Sequence, residues 1–260
     1  MKLKNLLKLI DLVHQKYGTS TPYICGGLPR DKYLGKLVSA VDVDFTTGDK
    51  TVEKLSLESY KILKEKFNIV REIKQDGHSS IYFKNMKIDF SSNYIVPYAE
   101  KFLKKLGKKP SLLELESYSR DFGCNSLLLS LDFKDILDPT GQGKKDCNNK
   151  TIKTILPPAI TFKPNPKTQN NNRAIRAIYL ACKLGFDIDQ AIIDYLSDNP
   201  VAITLSDPKS LSKKLNQAYE LDSEKTIYYL NKMNLWNYIP INNMLSDEVL
   251  DLLANRAKRE

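Results

Sequence analysis

Between Tyr23 and Asp44 the chain reads Y-I-C-G-G-L-P-R-D-K-Y-L-G-K-L-V-S-A-V-D-V-D. On an extended strand, side chains two apart project to the same side. Asp42 and Asp44 would then stand next to each other, and two neighbouring carboxylates repel unless a cation lies between them. An oxygen-only acidic site suits Mg²⁺ or Mn²⁺, which completes its shell with water and phosphate oxygens. Gly26-Gly27 lets a phosphate chain approach the backbone closely, and a helix beginning just after it would add N–H groups. Those are the parts of a site for phosphoryl or nucleotidyl transfer. Singly, a D-x-D or a G-G is commonplace. The order strand, G-G, R-D helix, strand with D-x-D is much more specific.

Other chemistries have less support. Cys25, Cys124, Cys147 and Cys182 form no C-x-x-C, and with only His14 and His78 no zinc spacing can be built. Free thiols in a reducing compartment, hence a cytoplasmic protein, are expected. The formal charge of +9 and a pI of about 9.1 favour a polyanionic partner, nucleic acid before membrane. No apolar run of about 18 residues occurs. At the N-terminus, Leu3, Leu6, Leu7, Ile10, Val13 and Tyr17 form a helical stripe broken by charge, with no small-residue cleavage site after it.

The elements that would position these groups follow from periodicity. The first helix should stop at Gly18, and Pro22 to Cys25 reads as a short strand. Pro29 suits a helix start running to Gly35. Val41, Val43 and Phe45 alternate with Asp42 and Asp44, a strand pattern. A helix is expected over 51–67 and strands over 68–74, 79–84 and 86–91. Beyond that a helix is expected over 111–131 with a break at Gly123, then loop over 133–155. The polar run 163–172 leads into a helix over 173–184 ending at Gly185. Further helices are expected over 188–196, 208–219, 223–233 and 246–258. This is an α+β fold: a mixed α/β head over residues 1–150, then an all-helical neck and short body over 151–260.

G-G-L-P-R-D-K-Y-L-G-K followed by V-D-V-D-F-T-T resembles the head signature of the class II tRNA nucleotidyltransferases. These are the CCA-adding enzymes and the related bacterial poly(A) polymerases, within the DNA polymerase β-like nucleotidyltransferase superfamily. Pro29 stands where that family usually has valine. S-Y-S-R-D-F-G-C-N-S-L (117–127) is similar to the family's R-R-D-F-T-I-N-A-L, with Ser119 in place of the first arginine. I-L-D-P-T-G-Q-G-K-K-D (136–146) and R-A-I-R-A-I-Y-L-A-C-K-L-G-F (173–186) resemble two later family motifs. The likeness covers residues 22 to 186 and thins after about 190.

The resemblance implies roles. Asp42 and Asp44 would hold the catalytic metals, Mg²⁺ or Mn²⁺, with Asp89 as the candidate third carboxylate. The arginine expected near Asp89 is missing, and Tyr94 lies near its place. Gly26, Gly27 and Arg30 would meet the triphosphate, with Asp31 orienting Arg30 or forming a structural pair with it. Arg120 and Asp121 would reach the ribose or base. In the family an E-D-x-x-R motif reads the base. Here Gln169-Asn170-Asn171-Asn172-Arg173 replaces it, with Arg176 following, so Asn170, Arg173 and Arg176 are the candidate base-reading residues. An amide keeps an acceptor for the amino group of adenine or cytosine, but it orients Arg173 more weakly than a carboxylate does. The same asparagines also read as a polar helix cap.

The implied activity is template-independent addition of CMP and AMP from CTP and ATP to an RNA 3′ end. CCA addition or repair on tRNA leads, poly(A) or oligo(A) synthesis is the alternative, and an inactive RNA- or nucleotide-binding relative is a further one. No membrane partner is expected. Family members commonly carry a longer helical tail, which is expected to be absent here.

Overall fold

The computed structural model describes residues 2–36, 42–74, 78–92, 97–163, 172–200 and 208–239. The chain divides into two compact units, Met1–Asn149 and Lys150–Glu260.

The first unit begins with α1 (Leu3–Tyr17), whose Leu6, Leu7, Ile10 and Val13 are buried. Gly18 closes it, its N–H bonding the His14 carbonyl at 3.0 Å. Then come β1 (Tyr23–Cys25), α2 (Gly27–Tyr33), β2 (Asp42–Thr46), α3 (Thr51–Lys64), β3 (Val70–Ile73), β4 (Ser79–Tyr82) and β5 (Lys87–Phe90). After α4 (Pro97–Lys105) and α5 (Leu112–Tyr118), a 3-10 turn (Gly123–Asn125) leads to β6 (Leu128–Leu129), β7 (Ile136–Leu137) and α6 (Gly143–Asn148).

The strands form one mixed sheet in the order β3-β4-β5-β2-β1-β6-β7. Only β2 and β5 run parallel. Ile24, Val43, Phe45, Ile81, Ile88, Phe90 and Leu129 join residues of α1 and α3 in one apolar core. Phe45 and Phe90 stack in it with ring centroids 5.7 Å apart. The polar residues of the period-2 alternation therefore occupy the other face of the sheet.

Two expectations for this unit are corrected. The helix expected over 111–131 ends at Tyr118, where the Ser119 hydroxyl donates to the Leu115 carbonyl at 2.6 Å. Phe122 is extended and the chain enters the sheet at β6 instead. A short apolar run such as 127–129 fits a buried strand as well as a helix. The loop expected over 133–155 contains β7 and α6.

The second unit holds β8 (Thr151–Ile152), α7 (Pro158–Thr161), α8 (Arg173–Leu184), β9 (Asp187–Ile188), α9 (Gln190–Asp198), α10 (Pro208–Leu221) and α11 (Ser223–Lys232). Ile175, Ile178 and Ala181 of α8 are buried together with Leu211, Leu215, Ala218 and Leu230. The unit is not all-helical, because β8 and β9 pair in parallel. Ile188, expected to start a helix, lies in β9; Asp189 caps α9 by accepting from the Ala191 N–H at 3.1 Å. The helix expected over 246–258 lies outside the described residues. Among the described residues no helix is long and apolar enough to cross a membrane.

Candidate active site

The polar face of the head sheet is a two-row grid. Strand register aligns Cys25, Asp44, Asp89 and Ser80 in one row across β1, β2, β5 and β4. In the next row Asp42, Lys87 and Tyr82 stand side by side. Three carboxylates and one ammonium thus share this patch. Asp42 is exposed and Asp44 half-buried. Asp89 has a partner on each oxygen: Ser80 Oγ donates to Oδ1 and Lys87 Nζ to Oδ2, each at 2.5 Å. Partial burial opposes the Lys87 cation, but Asp89, Tyr82 and Asp42 outweigh it and raise the ammonium above its ordinary value.

Gly26 lies at the mouth of this patch. Its φ of +77° is a left-handed value, and a Cβ built there would fall 2.4 Å from Asp44 Oδ2. Only glycine satisfies both constraints. The carboxylate therefore packs directly against the backbone of the turn. Among the described residues no three or more His, Cys, Asp or Glu side chains are grouped to hold a metal ion. Asp42 and Asp44 are a pair, and one or two carboxylates completed by water and phosphate is the set that Mg²⁺ takes. The donors present fit that ion.

Arg30 departs from its expected place. Its side chain is 2% exposed, Nε and Nη2 donate to Asp31 Oδ1 at 2.8 and 2.7 Å, and Nη1 donates to Asn125 Oδ1 at 2.5 Å. Through Asn125 the guanidinium ties α2 to the 3-10 turn, while sequence reading expects it on a triphosphate. That turn rests on α6, since a Cβ at Gly123 would lie 2.0 Å from Asp146 Oδ2. Asp138 in turn accepts from the N–H groups of Gly143 at 3.2 Å and Lys144 at 2.9 Å. Three separate motifs, G-G-L-P-R-D, R-D-F-G-C-N and D-P-T-G-Q-G-K-K-D, thus build one support.

Arg120, expected at the ribose or base, lies close enough to Asp44 for that carboxylate to favour its charge. Its Nη2 pairs with Glu116 one helical turn back, and Glu116 is wholly buried. Burial disfavours the Arg120 cation, but Cys25, Glu116 and Asp44 more than offset this and keep it charged. Cys25 is pushed up to about 12, by burial first and against the pull of Arg120. Arg120 Nε and Asn125 Nδ2 are buried without a hydrogen-bond partner. Asp121 accepts from the Phe122 N–H at 2.9 Å.

The remaining candidates lie in the second unit. Arg173 and Arg176 are one turn apart on α8, and Arg173 Nη1 donates to the Thr161 carbonyl at 2.6 Å. Asn172 Nδ2 donates to Ser210 Oγ at 2.9 Å. Asn170 and Tyr94 lie outside the described residues. Sequence reasoning missed Glu116, Lys87 and Asp146. The i,i+4 spacing of Glu116 and Arg120 was a usable signal. Nothing local marks Asp146, because its partner is brought up by the fold.

Residues 22–153, just over half of the chain, match the family described as "Poly A polymerase head domain". This chain belongs to that family, with the class II tRNA nucleotidyltransferases. Among curated relatives, this poly(A) polymerase head protein is 27% identical over 237 residues to the "tRNA nucleotidyltransferase cca2" of Schizosaccharomyces pombe, covering 83% of this chain and 46% of the relative. It is 27% identical over 182 residues to the "CCA-adding enzyme" of Bacillus subtilis, covering 69% of this chain and 40% of the relative. The chain thus spans less than half the length of these two relatives. A Bacillus stearothermophilus CCA-adding enzyme solved in complex with CTP shares its fold, with a TM-score of 0.68, 18% identity, and 97% of this chain and 57% of the other covered.

Proposed function

We propose that the chain is a template-independent RNA nucleotidyltransferase that adds CMP and AMP to tRNA 3′ ends, in CCA addition or repair. The observation that carries this reading is Asp44 packed against Gly26, on the same sheet face as Asp42, in a poly(A) polymerase head whose relatives are named for CCA addition. Asp42 and Asp44 are the residues that would hold Mg²⁺ or Mn²⁺. Such an ion supplies charge neutralisation at the triphosphate and an activated acceptor hydroxyl.

The protein's own part is placement. Gly26 and Gly27 present backbone to the phosphates. Arg30 and Asp31 fix that turn from below. Arg120, held charged beside Asp44, would face the incoming nucleotide, and Asp121 would be a ribose acceptor beside it. In the second unit, Arg173, Arg176 and Asn170 would read the base. Residues 1–150 would form the catalytic head and 151–260 the RNA- and base-binding part. A cytoplasmic location belongs to the same proposal and accords with four free thiols.

Poly(A) or oligo(A) synthesis is the second reading, favoured by the replacement of the family's template acids by Gln169 and Asn170. The test is incubation with Mg²⁺, each labelled nucleotide, and either tRNA lacking its CCA end or an unstructured RNA. Ordered C, C, A incorporation supports CCA addition, and unlimited A supports the rival. No incorporation with any pair overturns both.

A further inference from the structure

Residues 97–109 of the head read P-Y-A-E-K-F-L-K-K-L-G-K-K, five lysines against one glutamate, a net +4 out of the chain's +9. On α4 (Pro97–Lys105), Ala99 and Leu103 are one turn apart and 0% exposed. At about 100° per residue, Lys101, Lys104 and Lys105 fall on the opposite side, and all three are exposed. Gly107, with a φ of +71°, turns the chain, and the Lys108 N–H bonds back to the Leu103 carbonyl at 3.0 Å. Lys108 and Lys109, also exposed, thus extend the basic end of the helix. Tyr98, an exposed ring, stands one turn before Lys101. The helix packs against α5, whose Glu116 holds Arg120.

Two acids stand among these lysines. Glu100 pairs with Lys104 at 2.7 Å. Glu114, lowered first by its bonds from Ser111, is lowered further by Lys108. Lysines in a last turn complement the helix dipole, which accounts for Lys104 and Lys105. It does not account for Lys101, or for two more lysines past the turn. Like charges gathered in this way repel, and a polyanion relieves that repulsion.

We propose that α4 and the turn after it form an RNA-backbone surface on the head itself, holding phosphates of the acceptor RNA in addition to whatever the second unit binds. This rests on the reading of tRNA as the acceptor. An anionic lipid surface fits less well. A helix lying on a membrane inserts its apolar side, and on α4 that side, Ala99 and Leu103, is already buried. RNA needs only spaced cations and, for an unstacked base, an exposed ring such as Tyr98.

The experiment measures binding of the full chain to tRNA lacking its CCA end, by fluorescence anisotropy between about 50 and 200 mM salt. K101Q/K105Q/K109Q should weaken binding about tenfold or more at about 100 mM, and make the slope of log K against log salt shallower by about 2–3. K101R/K105R/K109R should bind as the wild type does. K2Q/K4Q/K8Q removes as much charge from exposed positions at the start of α1, and should change affinity by less than about threefold. The inference is overturned if the α4 glutamine triple binds tRNA as the wild type does, including the case in which it loses only binding to phosphatidylserine vesicles. It is overturned equally if the α1 triple is weakened as much, since net charge alone would then explain the loss. Nucleotide incorporation separates the two readings. If the wild type extends this tRNA while the α4 triple binds it undiminished, only the present inference falls. If the wild type neither binds nor extends it, the functional reading falls too.

Discussion

The contact between Gly26 and Asp44 makes a sharp demand on a single side chain. In Gly26→Ala the new methyl group would collide with Oδ2 and hold a φ of +77°. The carboxylate must shift, and small misplacements at a reacting centre are costly. Incorporation of labelled nucleotide should fall by at least about 100-fold, while stability drops by only about 1–2 kcal/mol in denaturant titration. Retention of most of the activity would refute the placement. Asp44→Asn should abolish turnover and leave RNA binding in place. Arg30 gives the opposite signature. Replacing its partner in Asn125→Ala strands a buried guanidinium bond and should cost about 1–3 kcal/mol of stability. A loss of nucleotide affinity at unchanged stability would mean that Arg30 is a ligand residue after all. The acids, the glycines and the arginines were all legible from residue type and spacing. What each arginine does was not, because Asn125 lies far along the chain from Arg30 and local sequence cannot show that they meet.

Element scale explains both the successes and the misses. The strands that carry the acids alternate cleanly, and α1, α3 and α8 carry continuous apolar stripes, so periodicity located them. β6 and β7 are two residues each, too short for any period to show, and they exist because β1 offers an edge to pair with. The expected long helix failed at the same place. Only its N-terminal segment forms, as α5, which ends just before Arg120 and delivers that residue through the Glu116 pair. Glu116→Ala would leave a buried guanidinium without its carboxylate. The expected cost is about 3–5 kcal/mol, seen as a lower denaturant midpoint, with activity falling as well because Arg120 neighbours Asp44. A stability unchanged within 0.5 kcal/mol, about the level of an exposed surface change, would show the pair to be incidental.

At the scale of the whole molecule, buried thiols make stability fall on the alkaline side. Burial pushes Cys147 from 9.0 up to about 11, against the pull of Arg30. The folded chain keeps that proton while the unfolded chain loses it near pH 9, so stability is complete below about pH 9 and declines from there to about 11. Denaturant titrations across pH 7 to 11 should show that decline, and Cys147→Ala should make it shallower, leaving the share of the other buried thiols such as Cys25; an unchanged slope would assign it wholly elsewhere. The net charge of +9 sets a second expectation. If the polyanion is tRNA, its affinity should drop steeply with salt, by about tenfold or more between 50 and 200 mM, as phosphate contacts are lost. Charge sign and fold class were readable from composition and pattern; the parallel β8–β9 pair was not, since it depends on segments more than thirty residues apart meeting. The sheet of the head carries one last implication. Val43 and Phe45 are pinned in oil on one side of the same strand whose alternate residues are the acids. Sliding that strand by a single residue would drop aspartates into the hydrocarbon and lift phenylalanine into water. The greasy side of the strand is therefore a ruler for the wet side, and mutations that loosen the packing there should blur where the acids sit long before they unfold the protein.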